Sequence, residues 1–345
     1  MYLCYHHSMQ LYVDFPSWIS PFVVPFLPIR WYALMYLVAF TVTYILVRHE
    51  CRHGELNGMN ADDTITLFCY GVGFLILGAR VFSTLLYDGT WYYWTHPWMI
   101  FWPFQNGRFV GLPGMSYHGG VIGCVFGVWL FCRKHGYRFF DMADHLTAAI
   151  PLGYTFGRLG NFINGELWGR VTASSVGMVF PDAPSFSTSI EWVREVADKI
   201  GMSYTSGAMV NLPRHPSQLY EALFEGVVLW LVLWFIIRPI AKRLHGKKGP
   251  GLLTGSYFIG YGLARFIIEY FREPDSQIGF VIALGKETEP TALFKSALNI
   301  SMGQILCFLM IVAGAAMIIY SFKGKPVTYP KSKGKGNKNA NKRKG

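Results

Sequence analysis

Residues 153–170, GYTFGRLGNFINGELWGR, decide how this chain folds and where its chemistry lies. They continue an apolar run that opens near Leu146, so the first part of the stretch sits at membrane depth. Yet it carries Arg158, Asn161, Asn164, Glu166 and Arg170, with Gly157, Gly160, Gly165 and Gly169 between them. A charge in a membrane segment costs about 2.5–3.5 kcal/mol on insertion scales, so an unpaired arginine without a purpose is not expected there. At helical spacing Arg158, Asn161 and Gly165 share one face, and the glycines let another backbone or a ligand come close. The stretch is either a polar seam that only joins helices or a site for an anionic ligand, and the second is favoured.

Composition agrees with a membrane setting. The 345 residues are 52% hydrophobic and only 15% charged, with a mean hydropathy of +0.28, which suits a polytopic membrane protein better than a soluble enzyme. Aromatic clusters such as WYYWTHPW at 91–98 fit belts at the water–lipid interface. The net charge of +11 does not point to nucleic acid, because the basic residues sit in short loops and in the C-terminal tail and no nucleic-acid module is visible. Six cysteines (Cys4, Cys51, Cys69, Cys124, Cys132 and Cys307) show no paired spacing and no CxxC. They read as small buried hydrophobes, so no metal and no cofactor is expected. No cleavable signal is expected at the N-terminus either, since Lys and Arg are absent before Arg30.

The expected fold is an all-α polytopic membrane protein with about seven transmembrane helices and a small extracytoplasmic cap. The spans fall at about 30–48, 64–86, 118–133, 146–163, 218–238, 253–271 and 303–321. The third and fourth are short, which predicts a broken or re-entrant piece near His118. Basic residues collect in alternate connections, 48–55, 133–138, 238–248 and the tail after Phe322. These hold two, three, five and nine in turn, more than half of the chain's 31. The positive-inside rule then places the N-terminus outside and the C-terminus in the cytoplasm. Residues 1–29, with four prolines in PSWISPFVVPFLP, read as an interfacial segment. Residues 30–322 form the helical domain, with 164–217 as its outer cap, and 323–345 form a disordered basic tail. Within the cap, TSIEWVREVADKIG sets Ile190, Val193, Val196, Ala197 and Ile200 at helical spacing.

Further polar clusters point to the same outer half of the membrane. His118 opens the third span, and Gly119 and Gly120 after it allow close approach to the backbone. A histidine alone is commonly an ordinary hydrogen-bonded residue, but beside an anion-binding arginine it is a candidate base. Glu221 and Glu225 are one helical turn apart, with Tyr220 alongside, and membrane carboxylates of this kind want a cation such as Arg158 or Arg265. Arg265 and Glu269 are also i and i+4, with Arg272 about a turn further out, so a structural ion pair competes with a functional role. Arg30 and Tyr32 mark the outer end of the first span, where Tyr32 is either a plain interfacial aromatic or part of the site.

Together these segments resemble the phosphatidylglycerol–prolipoprotein diacylglyceryl transferase family. The resemblance is carried by HGGVIG at 118–123, GRLGNFINGELWG at 157–169, HPSQLYE at 215–221 and ARFIIEYFREPD at 264–275, and it runs from Tyr32 to Gln304. It is least close in the first 29 residues, in loops 172–212 and 276–299, and in the basic tail. The resemblance implies a seven-helix enzyme of the bacterial inner membrane. It would move the diacylglyceryl group of phosphatidylglycerol onto the lipobox cysteine of a prolipoprotein signal peptide and release glycerol 1-phosphate.

On that resemblance the residues take roles. A cysteine thiol with a pKa near about 8.5 must become a thiolate before it attacks. Negative charge then grows on the departing phosphate, which arginines stabilise without losing their protons. His118 is the expected base; Arg158 and Arg265 are the phosphate clamps. Asn161 and Asn164 orient the headgroup or Arg158, while Glu166 and Glu269 position the arginines. Tyr32 and Tyr261 donate to the glycerol headgroup, and Gly119, Gly120, Gly169 and Glu221 complete the substrate-binding set. From the residues alone, a transporter or lipid flippase with a midplane anionic site fits as well, and a scaffold is the third class. The transferase changes the mass of a lipobox peptide; a transporter does not; and a scaffold tolerates uncharged residues at 158 and 265.

Overall fold

A computed structural model describes residues 11–24, 30–53, 56, 59–105, 107–109, 111, 114–244, 249–274, 279–285 and 287–324. The expected disorder of the basic tail from 325 onward, and residues 1–10 and 25–29 of the interfacial segment, lie outside the described residues. The helices are α1 (Trp31–Arg52), α2 (Ala61–Phe82), α3 (Tyr117–His135), α4 (Phe139–Ile163) and α5 (Glu191–Lys199). They continue with α6, an unbroken helical run over Ser217–Arg243, then α7 (Leu252–Ile268) and α8 (Met302–Lys323). The chain is mostly helical rather than all-α, because short strand pairs tie its loops together.

Among the described residues, four helical runs are long and apolar enough to cross a membrane: α1, α2 with the π-turn that extends it to Tyr87, α6 and α8. Their most apolar windows are only 11% to 33% buried within the protein, so the greasy side chains face outward. The remaining long helices fall short for a chemical reason. α4 carries Asp141, Asp144 and Arg158, α3 ends in Arg133, Lys134 and His135, and α7 has 17 residues. By this pattern the chain is a multi-pass membrane protein. The expected break near His118 is not observed: α3 runs unbroken from Tyr117, and α4 begins at Phe139 rather than near Leu146. Counting apolar residues stopped too early there, because a first helical turn welcomes Asp141 and a partner helix uses Asp144.

By their internal contacts the described residues form two units. One unit is built on Val47–Met142. Its α2 opens with a capping box, Asp63 N–H donating to Asn60 Oδ1 at 2.8 Å and Asn60 N–H to Asp63 Oδ2 at 3.4 Å. α2 and α3 lie antiparallel along a seam of glycines. A Cβ on Gly119 would strike the Gly78 carbonyl and Phe82, and one on Gly123 or Gly127 would strike the Phe74 or Tyr70 carbonyl. Spacing of four keeps these glycines on one face, which lets the backbones touch.

The other unit joins the chain up to Leu46 with Ala143–Arg243 and Gly251–Phe322. Neighbouring helices again alternate in direction: α1 meets α4 at Gly153 and Gly160, α4 meets α6 where Gly226 abuts Thr155, and α7 meets α8 at Gly255 and Gly314. Asp144 on α4 caps α7 across the bundle, accepting from the N–H of Gly251 at 2.8 Å, the N–H of Thr254 at 2.9 Å and the Thr254 hydroxyl at 2.7 Å. The cap has its own small core of Val171, Val193, Ala197, Leu212 and Ala292, with Trp192 and Leu293 packed on it. Its helix α5 buries Val193, Ala197 and Ile200, as the spacing predicted, while Ile190 is exposed. Val13–Asp14 joins the cap as a strand beside Met178–Val179.

Candidate active site

The antiparallel packing of the larger unit brings the C-terminal parts of α4 and α7 beside the first turns of α1, α6 and α8. Glu221, in the first turn of α6, is fully buried. Arg158 Nε lies 2.7 Å from its Oε2, and Arg265 Nη1 and Arg272 Nη1 lie 2.8 and 2.6 Å from its Oε1. A carboxylate taken out of water needs such partners, and three guanidinium groups could not gather without it. The arginine side chains are 17–18% exposed and that of Glu221 is 0% exposed. The negative charge therefore lies beneath, and the accessible face of the cluster is cationic.

Two more carboxylates support the arginines. Glu269 Oε2 is 3.2 Å from Arg265 Nη2 and 3.8 Å from Arg272 Nε. Its Oε1 accepts from the Ser301 hydroxyl at 3.0 Å, just before α8 begins. A Cβ on Gly303 would sit 2.7 Å from that oxygen, so the glycine makes room for it. A carboxylate at a helix N-terminus also meets the positive end of the helix dipole. Glu225, fully buried one turn after Glu221, lies with Oε1 3.8 Å from Arg265 Nη1.

The loop that follows α4 is held from several sides. Gly165 has φ of 66° and Leu167 has φ of 60°, a backbone conformation that costs a leucine about 1–3 kcal/mol unless its surroundings impose it. They do: Ser217 Oγ donates to the Leu167 carbonyl at 3.0 Å and Gln218 Nε2 to the Glu166 carbonyl at 2.6 Å. Asn161 sits between Arg158, whose Nη1 is 3.4 Å from its Oδ1, and Glu166, whose Oε1 accepts from its Nδ2 at 2.9 Å. Asn164 Oδ1 is buried without a donor among the described residues. Above the loop, burial and then the Arg170 cation push the His215 imidazole below the usual histidine value. The cap consequently loses stability as pH falls below about 6.5, where the unfolded chain takes up the proton first.

The residues singled out from the sequence thus divide. Arg158, Arg265, Glu221 and Glu269 meet directly, and Asn161 and Glu166 adjoin them. Tyr32 starts α1 with its hydroxyl 2.9 Å from that of Tyr36, and its Cα faces Gly160. Tyr261 sets its ring edge-on to Tyr154, centroids 5.9 Å apart. The glycines serve packing. Gly119 is spent on the α2 seam, Gly120 makes ordinary contact with Leu75 and Ala79, and a Cβ on Gly169 would collide with the Phe271 carbonyl and His215. His118 belongs to the smaller unit, exposed in the first turn of α3, with Nδ1 3.4 Å from the Tyr87 hydroxyl. Sequence reasoning singled out Glu225 and Arg272 without giving either a role in the site, and it left out Tyr154. Tyr154 lies four residues before Arg158 on one helical face, a spacing that could have exposed it.

The chain resembles known proteins along most of its length. The family model described as prolipoprotein diacylglyceryl transferase matches residues 21–320. Phosphatidylglycerol–prolipoprotein diacylglyceryl transferase of Treponema denticola is 48% identical over 335 residues, covering 92% of this chain and 97% of the relative. The Treponema pallidum protein of the same name is 48% identical over 319 residues, 88% of this chain and 94% of its own. The Chlorobaculum tepidum one is 41% identical over 314 residues, 89% and 91%. With a match spanning both the helical bundle and the buried arginine–glutamate cluster, this chain belongs to the prolipoprotein diacylglyceryl transferase family.

Proposed function

We propose that this chain transfers the diacylglyceryl group of phosphatidylglycerol to the lipobox cysteine of a prolipoprotein, the first step of lipoprotein maturation. The observation that carries the site assignment is the cationic layer of Arg158, Arg265 and Arg272 above the buried Glu221. In the reaction the cysteine sulfur forms a bond to the glyceryl carbon, and the bond from that carbon to the phosphate oxygen breaks. The leaving group departs as glycerol 1-phosphate, gaining the negative charge that the thiolate brought. Guanidinium groups held at low dielectric stabilise that growing charge, and their planar forks match two phosphate oxygens at once. The cluster is already organised by its carboxylates, so it need not rearrange when the charge appears. Purified protein with phosphatidylglycerol and a lipobox peptide should yield a peptide heavier by one diacylglyceryl group. A peptide of unchanged mass, with lipid moved across the bilayer instead, would overturn this function.

The same reading places the protein in the bacterial inner membrane with seven spans, N-terminus outside and C-terminus in the cytoplasm, taking residues 30–322 as the catalytic domain. What supports it is the alternation of the bundle. The polar cluster lies where α1, α6 and α8 begin, whereas Arg52, Arg243 and Lys323 stand at the opposite helix ends. A reporter after Gly345 should be cytoplasmic and one inserted at Ser187 should be periplasmic. The reverse pattern would refute the orientation.

His118 is assigned the thiol proton. With Nδ1 against Tyr87, Nε2 is the nitrogen left to take it up. Replacing His118 by Gln should lower turnover by about 10²–10⁴-fold with lipid saturating, the usual contribution of a general base. Raising the pH toward about 8.5 should recover part of the loss, because solution then supplies the thiolate. A defect that stays constant from neutral to alkaline pH would remove His118 from this role.

A further inference from the structure

Arg158 does not aim its Nε–H at the nearest carboxylate. Glu221 Oε2 is 2.7 Å from Nε but receives no hydrogen bond in that geometry. The N–H is directed instead at the Tyr154 hydroxyl, 2.6 Å away, and the guanidinium carbon lies 4.8 Å from the Tyr154 ring centroid. Tyr154 passes its own proton on, donating to Glu225 Oε2 at 2.6 Å. The result is a one-way chain, Arg158 to Tyr154 to Glu225, that ends on a fully buried carboxylate.

The local backbone is built around this chain. Ala222–Val228 in α6 is a π-helical segment, a rare and less favourable winding that inserts an extra residue in the turn. Glu225 sits within it, and Gly226 next to it lets α4 approach so closely that a Cβ would overlap the Thr155 hydroxyl. Helix α4 at Thr155 and α6 at Gly226 are thus pressed together beside the Tyr154–Glu225 hydrogen bond. Tyr261, edge-on to Tyr154, closes the ring's other side.

We infer that Tyr154 and Glu225 are positioning residues that lock the plane of the Arg158 guanidinium, so that its Nη1 and Nη2 edge is turned to the phosphate of the lipid substrate. The ion pair with Glu221 supplies charge balance but leaves the fork free to turn. The directed hydrogen bond to Tyr154 and the ring beneath it remove that freedom. Neither residue touches the lipid; both act through Arg158. A guanidinium that is charged but misaligned still attracts the headgroup, so the loss falls on turnover rather than on lipid affinity.

This inference rests on the transferase function proposed above, and the full-length protein in detergent or vesicles tests the two apart. Phosphatidylglycerol and a lipobox peptide are the substrates. Failure of the wild-type protein to transfer would overturn the function itself. If the wild type transfers, Tyr154→Phe should lower kcat by about ten- to a hundredfold with KM for lipid within about threefold, the scale expected for a reacting group displaced by an ångström. Arg158→Lys has no Nε, so adding Tyr154→Phe to it should cost little more, whereas a merely structural tyrosine would multiply the two losses. Should Arg158→Lys have no measurable turnover, Glu225 decides. Glu225→Gln keeps an acceptor for the Tyr154 hydroxyl and should exceed Glu225→Leu by at least tenfold in kcat. A Tyr154→Phe protein with wild-type kcat, multiplying losses in the double variant, or equal losses for the two Glu225 variants would each overturn the inference.

Discussion

Arg158→Gln and Arg265→Gln should each lower transfer by roughly 10³–10⁵-fold, the range found when an arginine that stabilises phosphate charge is removed. Glutamine keeps much of the shape but loses the charge and the fork. Arg265 also has the more connected position, within 3.8 Å of Glu221, Glu225 and Glu269. Its loss leaves three carboxylates with less cation between them, so Arg265→Gln should also lower the unfolding temperature more than Arg158→Gln does. Lysine at either position keeps the charge as a compact point and should restore only part of the rate. The checks are turnover by peptide mass and thermal unfolding in detergent. Near-normal turnover in Arg158→Gln would remove it from the clamp.

Glu221→Gln should be the most disruptive single change to the cluster. The carboxylate is fully buried and is the shared counter-ion of Arg158, Arg265 and Arg272. Taking one partner from a buried ion pair costs about 3–5 kcal/mol, because the remaining charge is stranded. Three guanidinium groups would then repel one another with only Glu269 and Glu225 nearby. Turnover should fall by at least about 10³-fold, since both clamp arginines move together. Melting should also shift down, and further than in either arginine variant. Glu221→Gln protein that melts and turns over like the wild type would dismiss the counter-ion role. Glu221→Asp tests the geometry: it keeps the charge but pulls it back by one methylene, so stability should recover more than turnover.

Much of this was legible in the residues. Net hydropathy, the aromatic clusters and the alternation of basic loops declare a membrane bundle, because lipid selects apolar surfaces and the membrane sorts positive charge. Arg158 and Arg265 stand out in the sequence because a cation in an apolar run is costly enough to need a reason. The amphipathic helix of the cap is likewise readable, since Val193, Ala197 and Ile200 recur at the helical period and are buried. Periodicity tells which side chains share a face, and that information is local.

What only the tertiary structure decided is which faces meet. Glu221 belongs to Arg158, Arg265 and Arg272 together, although those arginines stand on two segments far apart in the chain. No spacing rule links positions 158, 221 and 272; antiparallel packing through glycine contacts does. For the same reason only the structure shows that Gly119, read from the sequence as room for close approach, makes the contact between α2 and α3. Nothing in the spacing assigns Tyr154 its partners, and only the packed helices set its hydroxyl between Arg158 and Glu225. A sequence states how many charges a membrane helix must hide, because that is a property of each segment in lipid. Which charge is hidden by which partner depends on how close two backbones can come, and that distance exists only once the helices have packed.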